Sequence, residues 1–170
     1  MQVGILELLT GFVSPSRTEH LYNRWFRRHF VSIMPQAVAV WSRQLGHRVH
    51  YATYYGQKDP RSLLPDGLDI VFISTYTQAS PLAYALAKLY RRANTLTVIG
   101  GPHARAFPED CLRFFDFVVQ DCEKNLIDAL LRSSFNRPSL LTSPHPFMDI
   151  PSVEERFPEI AGALFSHGES

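Results

Sequence analysis

Cysteine is scarce in this chain. Cys111 and Cys122 are the only two in 170 residues. Their spacing fits no zinc or iron–sulfur ligand pattern, so two unpaired, reduced thiols are expected. An excess of charge of one sign is missing too. With 17 Lys and Arg against 16 Asp and Glu, the net charge is +1, which leaves no electrostatic footprint for nucleic acid or an anionic membrane surface. No apolar run reaches the length of a membrane span. The start, Met1-Gln2-Val3-Gly4-Ile5-Leu6-Glu7, lacks the basic region of an export signal and reads as a first strand; the cytoplasm is the expected location. Also absent are a Gly-x-Ser-x-Gly nucleophile elbow, a P-loop lysine motif, a Gly-x-Gly-x-x-Gly after the first strand, and histidine pairs at helical metal-ligand spacing. No catalytic nucleophile and no metal-ligand set is therefore expected.

What is present is a succession of short apolar, β-branched runs separated by helical patterns. Strands are expected at Val3–Leu9, Arg48–Tyr55, Ile70–Ser74, Leu96–Ile99 and Phe117–Gln120. Helices are expected over Gln36–Leu45, with Pro35 in the first turn and Gly46 as C-cap, and from Ser80-Pro81 to about Ala93. A short helix follows Pro108, and a last one, capped by Asp121, runs to Leu131. A further helix over His20–Val31 interrupts the first connection. Strands this apolar, alternating with helices, imply a parallel sheet covered on both faces. The expected class is α/β, a five-stranded flavodoxin-like (Rossmann-like) sheet of order 2-1-3-4-5 with right-handed crossovers. This domain spans residues 1–132. Residues 133–170 carry Pro138, Pro144, Pro146, Pro151 and Pro158 and read as an extended linker or tail leading to another domain.

In such a sheet, ligands bind at the carboxyl ends of the strands, where strand order reverses. That rule nominates Thr10 and Gly11 after strand one, Ser74, Thr75, Tyr76 and Thr77 after strand three, Gly100, Gly101, Pro102 and His103 after strand four, and Asp121 to Glu123 after strand five. Hydroxyls, glycines and few charges suit a large, amide-rich, mostly neutral ligand better than a bare phosphate. Each residue also has a plainer reading. Ser74 could cap its turn, the glycines could serve only a tight corner, Tyr76 could pack, and His103 could be a hydrogen-bonded loop histidine.

Taken in order, Gly46-His47-Arg48-Val49, Leu68-Asp69-Ile70-Val71-Phe72-Ile73-Ser74, Val98-Ile99-Gly100-Gly101-Pro102-His103-Ala104, Pro108-Glu109 and Phe115-Asp116-Phe117-Val118-Val119 form a pattern. The chain from Met1 to about Leu131 resembles the N-terminal cobalamin-binding domain of cobalamin-dependent radical SAM enzymes. Phe147-Met148-Asp149-Ile150-Pro151 is similar to the linker before the radical SAM barrel. The resemblance implies a corrin over the carboxyl edge of the sheet. Ser74 and its neighbours would line one wall, and the ligand's nucleotide tail would pack on Gly100-Gly101. Glu123 would be the one glutamate kept where many members have Gly-Glu-Gly-Glu.

Glu7-Leu8-Leu9-Thr10-Gly11-Phe12 lacks the Asp-x-His-x-x-Gly that supplies a lower axial histidine in methionine-synthase-like domains, so no histidine need bind cobalt. The Cys-x-x-x-Cys-x-x-Cys motif is missing, so an iron–sulfur cluster and S-adenosylmethionine would belong to a C-terminal radical SAM domain outside this chain. The chain is then a piece of a longer protein or a stand-alone relative; a homo-oligomer is compatible with it. The competing expectation is a cofactor-free docking or regulatory module of the same fold, with Trp25, Phe26 and Phe30 filling the site or facing a partner. A flavin-dependent enzyme is disfavoured because no hydroxyl-rich phosphate loop follows strand one.

Overall fold

The computed structural model describes residues 1–10, 32–56, 59–132, 135–146 and 148–165, with side chains of the last helix to 161. Gly11 and the helix expected over 20–31 lie outside the described residues.

Six parallel strands form one sheet in the order β2-β1-β3-β4-β5-β6. They are β1 (Gln2–Leu8), β2 (Arg48–Tyr54), β3 (Ile70–Thr75), β4 (Leu96–Gly100), β5 (Phe117–Asp121) and β6 (Ser139–Thr142). The helices are α1 (Ile33–Gln44), α2 (Ser80–Arg92), α3 (Pro102–Ala106), α4 (Pro108–Leu112), α5 (Lys124–Leu131) and α6 (Val153–Phe165). No helix among the described residues is long and apolar enough to cross a membrane.

The strands are apolar on both faces because both faces are covered. Val3, Ile5, Ile70, Phe72, Val98, Phe117 and Val119 pack under α1 and α5 with Trp41, Ile127 and Leu130. Leu6, Leu8, Val71, Ile73, Ile99 and Val118 face the other way, against Ala83, Leu86, Ala104 and Phe115 of α2 and the α3–α4 region. The period-two alternation of a strand sorts the residues between these cores. Asp116 fixes the start of β4 against β5, its Oδ2 accepting from the Thr97 amide at 2.9 Å and the Thr97 hydroxyl at 2.8 Å.

The sheet has six strands, not the expected five, because β6 pairs with β5 (Phe117 with Ser139, Val118 with Leu140, Val119 with Leu141). Pro138 and Pro144 flank β6 without entering it, as suits an edge strand. It buries only Leu141, leaving Leu140 exposed, so its sequence carries almost no strand signature.

Nor do the later prolines prevent a helix. Pro151 precedes α6 and Pro158 is accommodated inside it. A capping box opens the helix. The Ser152 hydroxyl accepts the Glu155 amide at 3.3 Å, and the Glu155 carboxylate accepts the Ser152 amide at 2.8 Å. Helix α6 packs on α1 and on the edge strand β2. Trp41 Nε1 donates to the Asp149 carbonyl at 3.0 Å, and buried Arg156 donates to Gln36 Oε1 at 2.8 Å and to the Pro151 carbonyl at 3.0 Å. Glu159, also buried, pairs with Arg43.

Helix α1 is thus sandwiched, which is why eight consecutive residues, Pro35 to Ser42, are buried. A two-sided burial requirement replaces the single apolar face expected from Val38, Trp41 and Leu45. Arg156→Met leaves two buried acceptors without a donor. It is expected to lower stability by about 1–3 kcal/mol, read as a urea midpoint shift. The double variant with Gln36→Met should recover part of that loss.

Candidate functional site

A cavity of about 700 Å³ opens at the carboxyl edge of the sheet, on the α1–α5 side. That volume is in the range of small-molecule sites. Strand register explains its shape. Ile5, Phe72 and Val98 form one cross-strand row. Val38 of α1 and Ile127 of α5 complete a hydrocarbon chamber with them. The next row toward the edge is Glu7, Ser74 and Gly100. At Gly100 the row has no side chain, and the notch this leaves lies in the cavity wall. Tyr76, Arg105, Gln120 and Asp121 stand at the rim, where Arg105 and Asp121 neutralise each other as an ion pair.

The two glycines do different work. A Cβ at Gly100 would meet only the Val119 carbonyl, at an ordinary 3.7 Å. Gly101 has φ of +90°, and a Cβ there would lie 2.9 Å from Ser74 Oγ and 3.1 Å from both the amide and the carbonyl of Thr75. Gly101 is therefore required by the chain itself, so that the corner into α3 can lie against the end of β3. Gly100 alone leaves space that a ligand could use.

Of the residues nominated from the sequence, Ser74, Tyr76, Gly100, Gly101, Pro102, Asp121 and Cys122 line the cavity. The Ser74 hydroxyl has no hydrogen-bond partner among the described residues. The other described candidates are placed elsewhere. Thr10 is buried just after β1. Thr75 points to the opposite core, its hydroxyl donating to the Tyr76 carbonyl at 3.0 Å. Glu123 is the N-cap residue of α5, without a side-chain cap; Asp121, expected in that role, ends β5 and pairs with Arg105 instead.

His103 is buried on the far side of α3. Its Nε2 is 2.7 Å from the Tyr84 hydroxyl and its Nδ1 is 3.3 Å from Thr77 Oγ1. The Tyr84 hydroxyl donates to Asp110 at 2.7 Å, so Nε2–H donates to the Tyr84 oxygen and Nδ1 accepts from Thr77. Burial depresses the His103 pKa, in keeping with this neutral tautomer. Thr77 and His103 thus satisfy each other. Among the described residues no histidine lines the cavity, and no group of three or more acidic, His or Cys side chains is placed to hold a metal.

Sequence reasoning missed the wall contributed by Ser32, Ile33, Met34 and Pro35, and the residue that anchors it. Glu7 is buried at the end of β1, accepting the Ser32 amide at 2.9 Å and the Tyr51 hydroxyl at 3.0 Å. Burial pushes its pKa up, and those hydrogen bonds partly offset the rise. One carboxylate thereby ties β1, β2 and the start of α1 together.

Cys122 also lines the cavity, and burial pushes its thiol up to about 12. The thiolate is the nucleophile, so Cys122 in the folded protein is expected to label with iodoacetamide at pH 8 far more slowly than in the urea-unfolded chain. The raised value means the folded state holds this proton more tightly than the unfolded chain. Cys122 therefore lowers stability as pH rises above about 9, which a denaturant midpoint series across that range checks.

No protein-family model matches the chain, and no curated protein sequence matches it.

Proposed function

We propose that this chain is a cobalamin-binding domain that holds the corrinoid at the carboxyl edge of its sheet, with the radical chemistry carried by a domain outside it. One observation carries the reading: a carbon-lined cavity opens over the Gly100 notch, beside the unpartnered Ser74 hydroxyl. The residues suit the group. A corrinoid brings a flat, largely apolar base on its nucleotide tail, and the chamber of Ile5, Val38, Phe72, Val98 and Ile127 offers carbon contact to such a group. Ser74 would offer it a hydroxyl, and Tyr76, Arg105 and Gln120 at the rim would face the corrin amides. The commitment of His103 to Tyr84 and Thr77 fits a domain that supplies no histidine to cobalt from this corner. When bound, the cobalt would carry a methyl group for transfer. This chain would bind and orient the cofactor and shield its tail from water.

The test is incubation with hydroxocobalamin followed by gel filtration. Corrin absorbance eluting with the protein is expected. A folded protein that elutes without it overturns the reading in favour of the cofactor-free docking module.

A further inference from the structure

We propose that two copies of this chain exchange their C-terminal helices, each α6 seating on α1 and β2 of the other in a two-fold dimer. The proposal does not rest on the corrinoid reading, and either can fail alone. Helix α6 behaves as a self-contained plug. Its capping box closes within residues 152–155, and Arg156 Nε donates to the Pro151 carbonyl at 3.0 Å. Four further contacts join the segment to side chains of α1. Trp41 Nε1 donates to the Asp149 carbonyl, Arg156 to Gln36 Oε1, Arg43 to the Glu159 carboxylate, and Gln44 Nε2 to Glu155 Oε1 at 3.0 Å. Arg156 and Glu159 are buried in this seat. A buried charge stripped of its partner is costly, so the plug fits only a surface that offers the same four side chains. A second copy offers them unaltered.

The connection to α6 favours exchange. Strand β6, which precedes it, lies at the opposite edge of the sheet from β2. The chain must therefore span the molecule to reach the seat, on its own copy or on another. Asp149 in that connection has a φ of +59°, a strained conformation for a residue with a Cβ, and strain at a hinge invites exchange between copies. The segment is also rich in uncovered carbon. Met148 and Ile150 are 57% and 38% exposed, and Val153 and Phe157 of α6 are 57% and 60% exposed. Four large apolar side chains within ten positions mark a contact surface. In a two-fold dimer the crossing connections run side by side, and Met148 and Ile150 of one copy cover those of the other.

Charge reversal tests the exchange. Arg43→Glu and Glu159→Arg each set like charges against one another at the seat, and each alone is expected to lower the urea midpoint. The double variant, with the pair reversed within one chain, should regain it. Mixed in equal amounts, the two single variants should form a dimer of one chain of each by native mass spectrometry, with a midpoint raised toward wild type. Only exchange restores both opposite-charge contacts in that mixture. No mixed dimer beside a recovered double variant overturns the proposal, as does a dimer that either single variant forms as readily alone. Should the double variant not recover, wild type decides. Equal amounts of isotope-labelled and unlabelled protein, concentrated together in low urea and returned to buffer, are expected to give dimers of mixed mass that persist on dilution. Monomer alone overturns the proposal.

Discussion

Gly100→Leu is expected to abolish hydroxocobalamin uptake while the protein stays folded. The Cβ meets nothing closer than the Val119 carbonyl at 3.7 Å, so the strand accepts a side chain. Glycine inside a strand costs stability, so thermal stability should hold or rise. The remaining leucine carbons extend toward the chamber, into the space the ligand's base would take. An affinity loss of at least about 100-fold, close to 3 kcal/mol, is expected by dialysis, with an unchanged circular dichroism spectrum. Gly100→Ala should fall between the two. Wild-type affinity in Gly100→Leu would show that the corrinoid does not use the notch.

The neighbouring substitution has a different target. Gly101→Val imposes a β-branched side chain on a φ of +90° and drives its Cβ against Ser74 Oγ and the Thr75 backbone. Overpacking and backbone strain each cost about 1–3 kcal/mol, so a loss of roughly 3 kcal/mol or more is expected in urea unfolding. That is a large share of the 5–15 kcal/mol typical of a domain. On sequence grounds Gly101→Val is a ligand-blocking change that spares the sheet. The structure makes it a folding change, and any loss of binding in it says nothing about contact with a ligand. Unaltered stability would mean that α3 shifts away from β3 at little cost.

The contrast shows what the sequence could disclose. The double glycine after an apolar run marks a carboxyl-edge corner, and five strands and their order follow from the alternation of apolar runs with helical patterns. Which glycine faces a ligand depends on strand parity. Gly100 shares its face with Val98, whereas Gly101 leaves the strand with a positive φ. The wall from Ser32 to Pro35 was illegible because the connection after β1 gives no sign of where it returns. Conversely, Ser152-Val153-Glu154-Glu155 carries a readable capping box that the surrounding prolines obscured. The burial of α1 on every side was also visible in principle. Pro35 to Trp41 contains no charged residue, which a surface helix would not tolerate.

The placement of α6 bears on how the chain assembles. Its seat is α1 and β2, and its anchoring hydrogen bonds join residues more than a hundred positions apart, as with Trp41 to Asp149 and Gln36 to Arg156. The chain must cross the helical layer from the β6 edge to the β2 edge before those bonds can close. Contacts of that sequence separation are slow to close, so α6 is expected to dock after the sheet has formed and to lose its amide protection first in native-state hydrogen exchange. Detachment uncovers Gln36 and Trp41 on the outer side of α1 and leaves Arg43 without Glu159. Self-association is therefore expected to rise as α6 opens, which light scattering over a protein concentration series in low urea would read.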